Sequence, residues 1–196
     1  MPTDHAKILR DALSRPGSAS SDFDLNPGIV LPEGRKLTPA AVLVAFRDNG
    51  DLLLTKRSAR LKHHPGQVAF PGGKKDPGDL DLAATALREA REEVGLPSEQ
   101  VEILGTLPSH ETVTSFQVTP IVALIHGDFA EIPEVGEVAE VFYAPFAHVA
   151  DPGNYRIESR RWQGRDRRFY VAPLGPYYIW GATARMLQNL AARMGA

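Results

Sequence analysis

The chain has 196 residues, one ordinary domain with decorated ends, and its 43% hydrophobic and 23% charged residues are the proportions of a soluble globular protein. Its formal charge of −2 argues against a general polyanion binder, so no nucleic-acid partner is expected. With no cysteine, disulfides, thiolate metal sites and cysteine nucleophiles are excluded; with no apolar run near the ~20 residues that span a bilayer and no signal-peptide core after Met1, a cytoplasmic location without membrane contact is expected.

Residues 4–14 read as a short amphipathic helix with Ile8, Leu9 and Leu13 on one side, and 15–38 as an irregular arm rich in Pro, Gly, Ser and Asp. Ala40–Phe46 is a short apolar run, read as a buried strand, and the turn Asp48-Asn49-Gly50 returns Asp51–Thr55 as its hairpin partner. A basic loop, Lys56–Gln67, leads through Val68-Ala69-Phe70 to Pro71-Gly72-Gly73. From Leu80 to Val94 the apolar residues keep a helical period, stopped by Gly95 and Pro97. Strands are expected at Val101–Leu107, Gln117–Ile125 and Val138–Tyr143, a hairpin over 155–171 around Gln163-Gly164, and a closing helix from Ala182 to Met194. Mixed strands, two substantial helices and no repeats predict an α/β or α+β sandwich.

The chemistry concentrates in Arg88-Glu89-Ala90-Arg91-Glu92-Glu93-Val94-Gly95-Leu96. At ~100° per residue, Glu89, Glu92 and Glu93 share one face within a turn. Like charges at that spacing destabilise a helix, more so near its C-terminus, and something should compensate. Arg88, four residues before Glu92, offsets part of the repulsion; a hard divalent cation offsets more, because Mg²⁺ takes carboxylate oxygens together with water and phosphate. Gly72 and Gly73, just upstream, let a backbone carbonyl approach a metal or phosphate closely.

Residues 73–96 resemble the Nudix box: a Gly, then an acid, then Arg-Glu-x-x-Glu-Glu-x-Gly-aliphatic, met here by Gly73, Asp79, Arg88, Glu89, Glu92, Glu93, Gly95 and Leu96. The acid is Asp79 rather than the commoner Glu, and the spacing from Gly73 to Arg88 is one residue longer than the standard pattern. The resemblance implies a Nudix-type α/β/α sandwich with a mixed central sheet over residues 38–196, preceded by an N-terminal helix and irregular arm over 1–37. It also implies Mg²⁺ or Mn²⁺ held by Glu89, Glu92, Glu93 and the Gly73 carbonyl. Glu92, Glu93 and Arg88 are then the catalytic candidates, with Glu93 as the candidate base for the attacking water.

Residues 53–73, from Leu53-Leu54-Thr55-Lys56-Arg57-Ser58 to Phe70-Pro71-Gly72-Gly73, resemble the signature of the coenzyme A diphosphatase branch of that family. Lys62 stands where the branch usually has Arg, which keeps the charge and loses bidentate phosphate geometry. The extra residue in the box is similar to the same branch, as are Val118–Val122 and Ile179–Arg185. The implied substrate is coenzyme A or a thioester, split into 3′,5′-ADP and 4′-phosphopantetheine, with Arg57, Arg60, Lys62, Gly66, Phe70 and Gly72 as substrate-binding residues. ADP-ribose, dinucleoside polyphosphates or NADH are the alternative substrates, and a nucleotide-sensing module without turnover is the alternative class.

Other features are read more plainly. Arg160, Arg161, Arg165, Arg167 and Arg168 form a solvated hairpin face, with the 3′-phosphate as the second reading. His63 and His64 are loop residues, since a metal site needs three or four convergent ligands. Glu137 and Glu140 precede an apolar strand as possible extra carboxylates. Ser109-His110-Glu111 lacks the geometry of a triad, and Trp180 and Met186 are packing residues. The oligomeric state is left open, a homodimer included.

Overall fold

A computed structural model of the chain describes residues 4–162 and 164–195; Gln163 of the expected hairpin tip lies outside them. The elements run α1 (His5–Ser14), β1 (Ser20–Ser21), β2 (Thr38–Arg47), β3 (Leu52–Arg57), β4 (Val68–Ala69) and β5 (Gly72–Lys74), then α2 (Leu82–Val94) and β6 (Val101–Thr106). They continue with β7 (His110–Glu111), β8 (Phe116–Ile125), β9 (Val138–Ala144), α3 (Phe146–Ala150), β10 (Arg156–Trp162), β11 (Arg165–Leu174), β12 (Tyr177–Trp180) and α4 (Ala182–Met194).

Among the described residues nine strands form one mixed sheet, ordered β1-β7-β8-β2-β3-β4, with β5 on β2, β6 on β8 and β9 on β3. A separate antiparallel sheet holds β10, β11 and β12. Strand β2 is buried on both sides because helices cover both faces, which is why it reads as an unbroken apolar run. Ala41, Leu43 and Ala45 meet Ala86, Ala90 and Val94 of α2 on one face. On the other, Val44 and Phe46 pack with Leu9 and Ala12 of α1 and with Leu187 and Leu190 of α4. The architecture is the α/β/α sandwich expected. No described helix is long and apolar enough to cross a membrane.

Two local expectations change, and the arm is seen to be anchored. The hairpin from β2 to β3 pairs only at Phe46↔Leu52; β2 instead runs parallel to β8 over its whole length and takes β5 along its other edge, Ala41 opposite Gly73 and Val42 opposite Gly72. That insertion needs glycine, since a Cβ at Gly72 would collide with the Ala41 carbonyl and Val42. Helix α2 starts at Leu82, after Asp81 caps it by accepting the Ala84 N–H at 2.8 Å, so Leu80 falls outside the apolar stripe and is 95% exposed. The arm is tied down at both ends of its turn. Strand β1 pairs with β7, and the Asn26 side chain exchanges two 2.9 Å hydrogen bonds with the Arg168 backbone.

Candidate active site

Helix α2 ends in a left-handed Gly95 whose N–H closes onto the Ala90 and Arg91 carbonyls, and the packing of Ala86, Ala90 and Val94 on the sheet sets its rotation. Glu89 and Glu93, one turn apart, face the β5 strand. Glu93 is 6% exposed, and the Glu89 carboxylate lies so close to Gly73 that any Cβ there would strike it. Glu92 stands at the rim, with its side chain 58% exposed. The three glutamates therefore occupy graded depths.

Arg88 organises this turn. Its Nε and Nη2 donate to the two Asp79 oxygens at 3.0 Å each, its Nη1 donates to Glu89 at 3.0 Å and Glu92 at 3.1 Å, and Nη2 also reaches the Lys74 carbonyl at 3.2 Å. Asp79 also accepts from the Thr85 hydroxyl and the Asp76 N–H at 2.9 Å each. These donors, the guanidinium first, hold its carboxyl well below the usual carboxylate range. The extra residue in the glycine-to-arginine spacing is thus absorbed in a loop closed by Asp79.

The electrostatics of the buried pair are unfavourable as they stand. Burial first, then the charge of Glu89, push Glu93 up to about 8; Arg57 opposes this, Glu137 adds a smaller push and the Gly72 backbone a smaller pull. Burial likewise raises Glu89, with Arg88 opposing and Glu92 and Glu137 adding to it. A buried carboxylate facing further carboxylates is the chemistry of a hard-cation seat, and the donor set fits Mg²⁺ or Mn²⁺. Among the described residues, these side chains neighbour one another without closing to ligand distance on a common point. Glu92 is drawn outward by Arg88.

Glu137 belongs to this cluster and Glu140 does not. Glu137 sits where β9 begins, its carbonyl accepting the Ser58 N–H at 2.7 Å. Glu140 instead accepts the Tyr177 hydroxyl, below the Phe142–Tyr177 stack at 3.6 Å.

The basic loop is closed at its neck, where the Arg57 N–H donates to Gln67 at 2.9 Å and the Gly66 N–H donates to Arg57 at 3.1 Å. Gly66, at φ 71, makes that turn possible. Arg57 is partly buried within electrostatic range of Glu93, whereas Arg60 and Lys62 are exposed. Phe70 is corrected in placement: it is 3% exposed in the core and supports the loop from beneath. Trp180 is a packing residue that also lines a cavity. Its ring meets Phe169 edge-on at 5.4 Å and lines a cavity of about 570 Å³ together with His64, Arg160, Arg167 and Arg185. Met186 is core, at 4% exposure. His110 is fully buried between Ser20 (2.9 Å) and Asp22 (3.1 Å), where it fastens the arm.

Residues 36–162 match the NUDIX domain family. A protein of Klebsiella pneumoniae (strain 342), named as the uncharacterized Nudix hydrolase NudL, is 41% identical over 195 residues, covering 98% of each chain. Its namesake in Enterobacter sp. (strain 638) is 44% identical over 80% of this chain and 82% of its own. Among solved structures, a MutT/nudix family protein from Enterococcus faecalis superposes with a TM-score of 0.51 at 17% identity, covering 86% of this chain and 66% of that one, a likeness of fold.

Proposed function

The chain belongs to the Nudix family of hydrolases, diphosphatases that act on nucleoside diphosphate-linked substrates and generally use divalent metal ions, and from that premise we propose that its substrate is coenzyme A or a coenzyme A thioester. The choice of coenzyme A rests on the resemblance of Leu53–Gly73 to that branch's signature, and the placement of this loop bears on its role in the site. Its Arg57 lies within electrostatic range of Glu93, so the loop and the acidic helix address the same space. The products are 3′,5′-ADP and 4′-phosphopantetheine, or its acyl derivative.

Glu89, Glu92 and the Gly73 carbonyl would hold Mg²⁺ or Mn²⁺, with Glu93 and Glu137 beside them. Once bound, the metal neutralises phosphate charge and acidifies water. Glu93 is the candidate base, because it alone among the box glutamates combines deep burial, raised proton affinity and freedom from the Arg88 guanidinium. Water attacks one phosphorus, its proton passes to Glu93, and the bond from that phosphorus to the bridging oxygen breaks. Arg88 acts as a positioning residue, since its donors go to Asp79, Glu89, Glu92 and Lys74. Arg57, with Arg60 and Lys62 from the rim, neutralises phosphate oxygens. We infer an arm (1–37) and a hydrolase domain (38–196), with the family match covering residues 36–162.

Comparing kcat/KM for coenzyme A, ADP-ribose, diadenosine tetraphosphate and NADH tests the substrate. Coenzyme A should lead the panel; a clear preference for one of the others would replace it.

A further inference from the structure

We propose that the arginine-lined aromatic cavity between the arm, the β10–β11 hairpin and α4 binds the 3′-phosphorylated adenosine end of the substrate. This rests on the coenzyme A reading and assigns the part of that substrate remote from the cleaved bond.

The cavity combines flat apolar surface with concentrated positive charge. Trp180, Phe169 and Tyr170 supply aromatic faces and edges, and four arginines, Arg160, Arg167, Arg168 and Arg185, line it against one carboxylate, Asp22. Asp22 is already committed to His110 and to the Val113 N–H, at 3.1 and 3.0 Å. Arg160 and Arg167 are direct cross-strand partners, an arrangement of like charges that destabilises a hairpin unless an anion relieves it. Among the described residues, Arg160, Arg167 and Arg168 form no ion pair, and Glu158, the acid near Arg160, is shared by Arg156 and the Tyr178 hydroxyl. The Nε of Arg185 is buried without a partner, while its other nitrogens reach Gln188 and Asp24. His64, a non-glycine residue at φ 53, lines the same cavity, and backbone in that region persists where surrounding structure or a ligand fixes it.

Position completes the argument. The cavity wall at His64 and Gln67 belongs to the loop whose neck is Arg57, and that loop continues through β4 into Gly72-Gly73. The Arg57 charge acts both on His64 of the cavity wall and on Glu93 of the acidic helix, so this loop links the two regions. A purine ring with a phosphate dianion matches aromatic surface plus guanidinium groups. A pantetheine or acyl arm carries neither ring nor charge and leaves the arginines unanswered.

The test compares coenzyme A with dephospho-coenzyme A, which lacks only the 3′-phosphate, in the full-length enzyme with Mn²⁺. Wild type should prefer coenzyme A in kcat/KM by about tenfold or more, the scale of a charge-assisted contact. Arg160→Gln/Arg167→Gln should bring that ratio towards one, as should Arg160→Ala/Arg167→Ala. An unchanged ratio, equal losses on both substrates, or no wild-type preference would overturn the assignment while leaving the diphosphatase reading intact. Calorimetry with 3′,5′-ADP separates the two claims further. If coenzyme A is not cleaved, the coenzyme A reading fails, and the cavity still stands only if 3′,5′-ADP binds wild type about tenfold more tightly than the double variants.

Discussion

Arg88 grips Asp79 with two hydrogen bonds of 3.0 Å, one to each carboxylate oxygen, and with its remaining nitrogen it reaches Glu89 and Glu92. The loop after Gly73 and the acidic turn of α2 are thereby one unit, although nine residues separate the pair in sequence. Removing either partner should misplace the glutamates without touching the substrate. Asp79→Asn and Arg88→Lys should each weaken Mn²⁺ affinity or activity by ~10- to 100-fold, the usual scale for residues that orient metal ligands. Asp79→Glu should retain most of both. Mn²⁺ titration by electron paramagnetic resonance reads the effect; equal affinity in all three variants would dissolve the link.

Glu93 and Glu92 should not be equivalent. Glu93→Gln removes the buried base and should lower kcat by ~10²- to 10⁴-fold with the fold intact. Glu92→Gln, at the rim and half-neutralised by Arg88, should show itself chiefly in the metal concentration needed for half-maximal rate. Circular dichroism beside steady-state kinetics distinguishes them, and indistinguishable kinetics would refute the depth argument.

The buried carboxylate also makes the metal-free protein sensitive to pH. Burial lifts Glu93 from 4.5 to about 8, so between those values the folded chain keeps a proton that the unfolded chain has released. Stability in chelator is therefore greatest below about pH 4.5 for this group and declines as pH rises towards 8. Tm measured from pH 5 to 8 in chelator should fall less steeply for Glu93→Gln than for wild type, and saturating Mg²⁺ should flatten the wild-type slope. Parallel slopes in both proteins would contradict the assignment.

Glu137, just before β9, and Glu140, within it, separate cleanly. Glu137 adds to the repulsion felt by Glu89 and Glu93, whereas Glu140 serves Tyr177. Glu137→Gln should raise the half-saturating metal concentration several-fold, and Glu140→Gln should leave it where it is. Metal titrations of the rate decide between this and the reverse order.

His110 is predicted to matter for stability through the arm. It is fully buried, and His110→Ala removes one hydrogen-bond partner from each of Ser20 and Asp22, at a cost of ~1–3 kcal/mol. Denaturant unfolding measures it; a change below ~0.5 kcal/mol would show the arm to be held elsewhere.

Periodicity and punctuation explain how far the residues speak for the fold. Helix α4 falls on Ala182–Met194 as read, since Gly181 and an apolar stripe mark it locally. The rotation of the acidic helix follows from the stripe Ala86, Ala90 and Val94, and Gly95 marks its end. Contacts distant in sequence carry no such mark. The β2–β3 hairpin looks complete from Asp48-Asn49-Gly50, yet a short strand containing Gly72 and Gly73 displaces most of it. Leu80 fits the helical period, but Asp81 caps the helix after it. At the site, the box glutamates and Arg57 are legible as types in a pattern. Their unequal depths, the choice of Glu137 over Glu140, and the turning of Trp180 into a cavity depend on tertiary packing.

The most direct measurement is product identification by mass spectrometry after incubating the purified enzyme with coenzyme A and Mn²⁺ or Mg²⁺. Equal amounts of 3′,5′-ADP and 4′-phosphopantetheine are predicted, with neither formed in chelator or by Glu93→Gln. Intact coenzyme A, under conditions where the same preparation hydrolyses ADP-ribose or a dinucleoside polyphosphate, would contradict the account.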